Sequence, residues 1–197
     1  MTLSEKEIYA LISMIISTFA AYGYVRDILL GKTKPHLFTW LVWGLSALII
    51  CVAMAQAGAG AGTWAVAFGA GKCLLFAALA LKHGEKNITR TDWASFIACV
   101  FAIPLWLMTN DPMWSVIWLV GIEAVAFYPT FRKSVVKPFE ETLSNYAWGL
   151  IQACFVISSL AQYSLTTSLY AWSVAVQNGI FILFVWWLRA RIRQKIQ

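Results

Sequence analysis

Long apolar stretches alternate with short polar or glycine-rich joints along the whole chain. A helix needs about 20 predominantly apolar residues to cross the hydrocarbon core of a membrane. Seven stretches approach or reach this length, and we expect each to form a transmembrane helix. Their approximate bounds are 8–29, 37–57, 63–81, 93–109, 113–131, 145–163 and 169–188. The fourth is the shortest and contains Pro104.

The composition also indicates a membrane protein, because the chain is 60% hydrophobic and only 12% charged. A soluble domain usually carries about 25% charged residues. The 11 tryptophans and seven tyrosines are typical of aromatic belts at two membrane interfaces. The four cysteines occur singly in apolar stretches, without metal-ligand or disulfide spacing, and are interpreted as buried small hydrophobic residues. We therefore expect an integral, multi-pass membrane protein with no metal site and no cofactor.

Positive charge is concentrated in alternate joints and in the C-terminal tail. Of the 15 lysine and arginine residues, all except Lys6 and Lys72 lie there. The positive-inside rule assigns such joints to the cytoplasm, so we expect a cytoplasmic C-terminus and an N-terminus outside. The net charge of +6 then comes from basic residues that set the topology and contact anionic lipid. No nucleic-acid partner is expected.

Two parts of the sequence resemble each other. WAVAFGAGKCLLF, residues 64–76, aligns without gaps with WSVAVQNGIFILF, residues 172–184. The tripeptide WGL occurs at residues 43–45 and again at 148–150, and a Lys-Pro dipeptide precedes each copy. Three matches in the same order indicate that the first three and the last three helices are copies of one unit.

The chain then divides into a first repeat (1–84), a linker helix (85–111) and a second repeat with the basic tail (112–197). An odd number of helices per repeat needs one extra crossing if both copies are to face the same way. The predicted fold is an all-α membrane protein, with seven transmembrane helices arranged as two parallel three-helix repeats joined by a linker helix. Repeats of this kind, related by an axis along the membrane normal, typically enclose a solute path near mid-membrane.

This 3+1+3 plan resembles that of the SWEET sugar transporters and the wider PQ-loop superfamily. The second repeat is also similar to their motif pattern, with Tyr-Pro-Thr at 128–130, a basic joint, and Leu-Ser-Asn at 143–145. Asn178 resembles the family's seventh-helix asparagine, which binds substrate, whereas Ala70 occupies the matching position in the first repeat. PnuC-type vitamin transporters share the plan but match less well. The resemblance implies a transporter, with sugar as the default substrate class.

Lys72 places a charge in the middle of the third apolar stretch. It lies roughly 14 Å from either end of that helix, so its side chain cannot reach an interface. Contact with lipid would cost about 2.5–3.5 kcal/mol, and we expect Lys72 to face protein or a wet cavity. Glu123, at matching depth in the fifth stretch, is a candidate counter-charge. A structural ion pair, a pathway site and no contact at all are left open.

The repeat alignment adds a geometrical expectation for Lys72. Asn178 corresponds to Ala70, and Lys72 lies two residues further, about 200° around a helix. Lys72 and Asn178 are therefore expected to face different directions. The family-like site and the charge pair need not be one site.

Other candidate residues have two interpretations each. Gln177 and Asn178 are adjacent mid-span amides that either contact substrate or hydrogen-bond between helices. Trp64 and Trp172 lie near the outer interface, as belt anchors or as a gate or stacking platform. Pro129 either hinges the fifth helix or ends it. Together with Lys72 and Glu123, the amides and tryptophans form the predicted substrate-binding set, and Pro129 is the predicted hinge.

We expect a facilitator or secondary transporter of a small polar solute, which works by alternating access between the repeats. The alternative is a non-transporting structural or assembly membrane protein. An enzyme is not expected, because catalytic acid clusters and Ser–His or Cys–His arrangements are lacking, and both histidines, His36 and His83, lie in joints. GAGAG at 58–62 is expected to be a flexible joint, not a phosphate loop. The expected partners are the solute and the lipid bilayer, and a homo-oligomer is left open.

Overall fold

The computed structural model describes residues 3–196, and their regular structure is entirely helical, without β-strands. Helix α1 begins with a capping box in which the Glu7 backbone N–H donates to Ser4 Oγ (3.3 Å) and the Ser4 backbone N–H donates to Glu7 Oε2 (2.8 Å). This pair satisfies two backbone donors that a helix start leaves free. The first three helices are α1 (Glu5–Leu29), α2 (Leu37–Gln56) and α3 (Gly62–His83).

The fourth predicted span is divided into two short helices. These are α4 (Arg90–Val100) and α5 (Ala102–Thr109), with Phe101 between them. Pro104 explains the break, because it has no N–H for the Val100 carbonyl and its ring crowds that carbonyl. Taken together, residues Arg90–Thr109 are still long and apolar enough to cross a membrane.

The C-terminal half contains three longer helices and one short turn of 3₁₀ helix. They are α6 (Pro112–Val136), the turn Pro138–Glu140, α7 (Leu143–Ser158) and α8 (Leu165–Ile196). Helix α8 extends the predicted span 169–188 at both ends, so the basic tail is a helical continuation of it. Pro129 lies within α6, but its side chain is outside the described part of the structure, so the predicted hinge role stays a prediction.

Helix α7 is shorter than the predicted span 145–163. It has 16 residues and ends where Ser159 Oγ donates to the Val156 carbonyl at 2.7 Å. Among the described residues, six helical segments are long and apolar enough to cross a membrane, and α7 is not one of them. Large apolar side chains such as Phe19, Leu107 and Trp186 are exposed on the outside. These features indicate a multi-pass membrane protein, because lipid rather than water suits such a surface.

The helices pack in a reciprocal pattern. Helix α1 packs on α3 and α7, while α6 packs on α8 and α2. Helices α2 and α3 pack along each other, as do α7 and α8. The α4–α5 segment lies against α2 and α6. Helix α2 is therefore central, and its buried residues Val42, Ala47 and Ile50 belong to the main core.

One end of the molecule, which we call the Lys6 end, contains the start of α1 and two joints. Lys6 Nζ donates to the carbonyls of Leu160 (2.6 Å) and Ala161 (3.1 Å). The Ala161 N–H donates to the Ala59 carbonyl at 3.0 Å. Gly58 and Gly60 have φ of +76° and +62°, a conformation that favours glycine. The GAGAG joint is thus a turn with Ala59 buried, and its expected flexibility stays a prediction.

The opposite end, which we call the basic end, brings together joints that are distant in sequence. Lys133 Nζ donates to the Lys34 carbonyl (2.6 Å), and the Glu85 N–H donates to the Pro35 carbonyl (3.0 Å). Arg189 Nε donates to the Pro138 carbonyl at 2.9 Å. The basic joints of the sequence therefore meet at a single end.

Candidate functional site

A cavity of about 100 Å³, which we call the central cavity, lies between α2, α3, α6, α7 and α8. This volume suffices for several water molecules or a small solute. Its wall is rich in aromatic side chains: Trp40, Trp43, Phe127, Tyr146 and Tyr170. A concave site with apolar walls and a few polar groups is typical of small-molecule binding.

Four of the predicted site residues line this cavity. They are Lys72 from α3, Glu123 from α6, and Gln177 and Asn178 from α8. Lys72 and Asn178 were expected to face different directions, yet both line this cavity, and the lysine side chain reaches Gln152 of α7. Lys72, Glu123 and Asn178 thus line one cavity.

The two predicted tryptophans lie elsewhere. Trp64 and Trp172 are exposed on the outer surface and do not belong to the cavity wall. Such a position suits contact with the membrane interface, one of the two interpretations of these residues. A substrate contact at the central cavity would need a different conformation from the one described.

Lys72 does not pair with Glu123 in this structure. Its Nζ donates to Gln152 Oε1 of α7 at 3.2 Å. Within residues 3–196, no carboxylate oxygen lies within 4.0 Å of Lys72 Nζ. Of the three arrangements left open for Lys72 and Glu123, the direct ion pair is therefore not formed. A neutral amide is the partner of the ammonium instead.

Glu123 is almost completely buried, with 3% of the residue exposed. Its Oε1 has no hydrogen-bond partner among the described residues. Its backbone carbonyl accepts a hydrogen bond from Trp43 Nε1 at 3.2 Å. A buried carboxyl oxygen without a donor is costly, and it lies at the edge of a cavity that a donor can enter.

Asn178 lies where α7 and α8 approach closely. Its Nδ2 donates to the Val174 carbonyl one turn earlier, at 2.9 Å. A Cβ atom on Gly149 would lie 3.0 Å from Nδ2 of Asn178, tighter than an ordinary contact. Gly149 is the glycine of the second WGL tripeptide, and its missing side chain makes room for Asn178.

Two functional candidates were missed in the sequence. Gln152 binds Lys72, and Asn145 lines the cavity with an Oδ1 that has no partner among the described residues. Gln152 was detectable as a polar residue inside an apolar stretch, which in a membrane is a candidate functional residue. Its pairing with Lys72 was not detectable, because it depends on how α3 and α7 are rotated.

A buried polar network lies between the central cavity and the basic end. Tyr146, from the cavity wall, donates through its hydroxyl to Glu141 Oε2 at 3.2 Å. Glu141 also forms an ion pair with Lys133, and both side chains are almost fully buried. Thr142 Oγ1 donates to Asp27 Oδ2 of α1 at 2.9 Å. These contacts link the cavity wall to the basic end.

A second buried pair lies in the joints of the basic end. His36 Nε2 and Asp92 Oδ2 are 3.6 Å apart, and both side chains are buried. Burial lowers the pKa of His36, while the Asp92 charge opposes part of this shift. Among the described residues, no group of three or more histidine, cysteine or acidic side chains is arranged to hold a metal ion.

Comparisons with protein-family models, with curated proteins and with solved structures give no match to this chain.

Proposed function

We propose that this protein is a membrane transporter for a small polar solute, which works by alternating access between the units α1–α3 and α6–α8. The observation that carries the proposal is the central cavity, which lies between the two units and collects polar side chains from both. Polar and charged residues inside a membrane are expensive and usually mark a solute or ion path. Sugar is the default substrate class implied by the resemblance to SWEET and PQ-loop transporters.

The reciprocal packing supports two parallel repeats. In each unit the first helix packs on the third, and the third packs on the second. Across the units, α1 packs on α7 and α6 packs on α2. Exchange of the two units leaves this pattern unchanged, as expected for repeats related by one axis along the membrane normal. The α4–α5 segment then serves as the linker.

The charge distribution supports an orientation. Basic joints gather at one end, where Lys34, Lys133 and Lys137 lie close to acidic partners. By the positive-inside rule this end faces the cytoplasm, and the Lys6 end, with the N-terminus, lies outside. The Tyr146–Glu141–Lys133 contacts are then the inner closure, which has to open when solute leaves the cavity toward the cytoplasm.

Counterflow into liposomes that contain the purified protein tests the proposal. The panel comprises sugars, amino acids, small carboxylates and nucleosides. Asn178→Ala removes a cavity amide, while Ser158→Ala changes an exposed hydroxyl outside the cavity wall and serves as the matched control. We expect counterflow of one solute class by the native protein and the control, with loss in Asn178→Ala.

The folded state of each variant is checked by its elution in detergent and by its melting temperature. Absence of counterflow for every class, with folded native protein, would overturn the proposal in favour of a structural or assembly role. Equal counterflow by native protein and Asn178→Ala would leave transport intact but would remove Asn178 from the path.

A further inference from the structure

The central cavity contains two ionisable groups of opposite sign that do not contact each other. The Lys72 ammonium is held by the neutral amide of Gln152. Glu123 is buried, and its Oε1 has no partner among the described residues. The two groups belong to helices of different units, α3 and α6, and occupy different parts of one wall. The cavity thus has an amine on one helix and a carboxyl group on another.

Buried charges are costly unless they are paired and hydrogen-bonded. A neutral solute such as a sugar brings no counter-charge to either group. A cation would pair with Glu123 but would add a second positive charge to that of Lys72. An anion would pair with Lys72 but would add a second negative charge to that of Glu123. A solute that carries both charges supplies a counter-charge to each group and leaves the occupied cavity neutral.

We propose that the solute is a small zwitterion of the amino-acid type, with its carboxylate at Lys72 and its ammonium at Glu123. This inference rests on the proposed transport function and deepens it. Gln152 uses its amide oxygen on Lys72, which leaves its NH₂ group to donate to a carboxylate. Asn145 Oδ1, buried without a partner among the described residues, is a further acceptor for an ammonium.

The remaining wall indicates the rest of the solute. Trp40, Phe127 and Tyr170 present aromatic surface to the cavity, which suits an apolar side chain and, through cation–π attraction, an ammonium. The volume of about 100 Å³ favours a small solute over a large one. Alanine, valine and proline have this combination of charges, size and apolar surface.

The test compares valine with analogues that lack one of its two charges. Counterflow and ligand-induced melting shifts are measured for valine, for isobutylamine, which lacks the carboxylate, and for N-acetylvaline, which lacks the ammonium. Glucose and ribose are included as neutral solutes. We expect valine to exchange, and removal of either charge to weaken binding by roughly ten- to a hundredfold, the range for a hydrogen bond to a charged group.

Charge-removing variants give a second, reciprocal test. In Lys72→Met the site keeps Glu123, so we expect it to lose valine and to bind isobutylamine. In Glu123→Gln the site keeps Lys72, so N-acetylvaline is expected to bind instead. Glu5→Gln, which removes an exposed carboxylate at the start of α1, is the control and should retain the native preference.

The outcomes separate this inference from the proposed function. Counterflow of glucose or ribose without counterflow of valine would preserve the transporter and overturn the zwitterion. Counterflow of valine with unchanged preference in both charge variants would overturn the assigned roles of Lys72 and Glu123. No counterflow and no melting shift with any solute would overturn both proposals.

Discussion

Replacement of Glu141 by glutamine tests whether the buried ion pair at the basic end matters for stability. The side chains of Lys133 and Glu141 are 5% and 1% exposed. Glutamine keeps the shape and an acceptor for the Tyr146 hydroxyl, which donates to Glu141 at 3.2 Å. It removes the charge that neutralises Lys133. The Lys133 ammonium then retains only carbonyl acceptors, with Lys34 at 2.6 Å as the nearest.

Loss of one partner from a buried ion pair costs about 3–5 kcal/mol, since an uncompensated charge remains inside the protein. This corresponds to roughly two to three and a half powers of ten in the unfolding equilibrium. The pair Lys137–Glu85 is an internal control, with side chains 43% and 17% exposed and an N–O distance of 3.4 Å. Exposed pairs contribute about 0–1 kcal/mol, so Glu85→Gln should be nearly neutral.

Unfolding by SDS in mixed micelles, followed by tryptophan fluorescence, measures the free energy of unfolding of each variant. The double variant Lys133→Met with Glu141→Gln should recover most of the loss, because it removes both charges and keeps an acceptor for the Tyr146 hydroxyl. The reasoning is refuted if Glu141→Gln and Glu85→Gln have equal effects, or if the double variant is less stable than Glu141→Gln alone.

Two further predictions use the same unfolding assay. Gly149→Ala places a Cβ 3.0 Å from Asn178 Nδ2 and should destabilise the protein by about 1–3 kcal/mol through overpacking. The control Gly179→Ala meets no atom within 4 Å and should not destabilise the protein. Equal losses of stability in the two variants would contradict the prediction. Burial lowers the pKa of His36, and the Asp92 charge offsets part of this shift. Below about pH 6.5 the unfolded state therefore binds a proton at His36 more readily than the folded state does. Stability should therefore fall between pH 7.5 and 5.5, and a His36→Gln variant with the same slope would refute this role.

Six of the seven predicted spans coincide with helical segments that, among the described residues, are long and apolar enough to cross a membrane. Backbone groups in a membrane have to be satisfied within each helix, so long apolar stretches between polar joints are a local signal. The prediction was wrong for residues 145–163, because α7 ends at Ser158. In the structure the Ala161 N–H donates to the Ala59 carbonyl at the Lys6 end, so the chain after Ser159 belongs to a joint and not to the helix.

The candidate site was only partly readable. Lys72, Glu123, Gln177 and Asn178 stood out because polar groups inside apolar stretches are costly, and the structure places all four on one cavity. Their mutual contacts did not follow from the sequence. Partner choice depends on helix rotation and side-chain reach over a few ångströms, and no local pattern encodes these.

The sequence by itself determined that this is a helical protein with alternating basic joints, because apolar length and charge placement act within each segment. Only the tertiary structure decided that Lys72 binds Gln152 instead of Glu123, and that Glu123 remains buried without a partner for Oε1 among residues 3–196. The physical reason is that a hydrogen bond needs two groups within about 3 Å, and the relative rotation of α3, α6 and α7 alone decides which groups come that close.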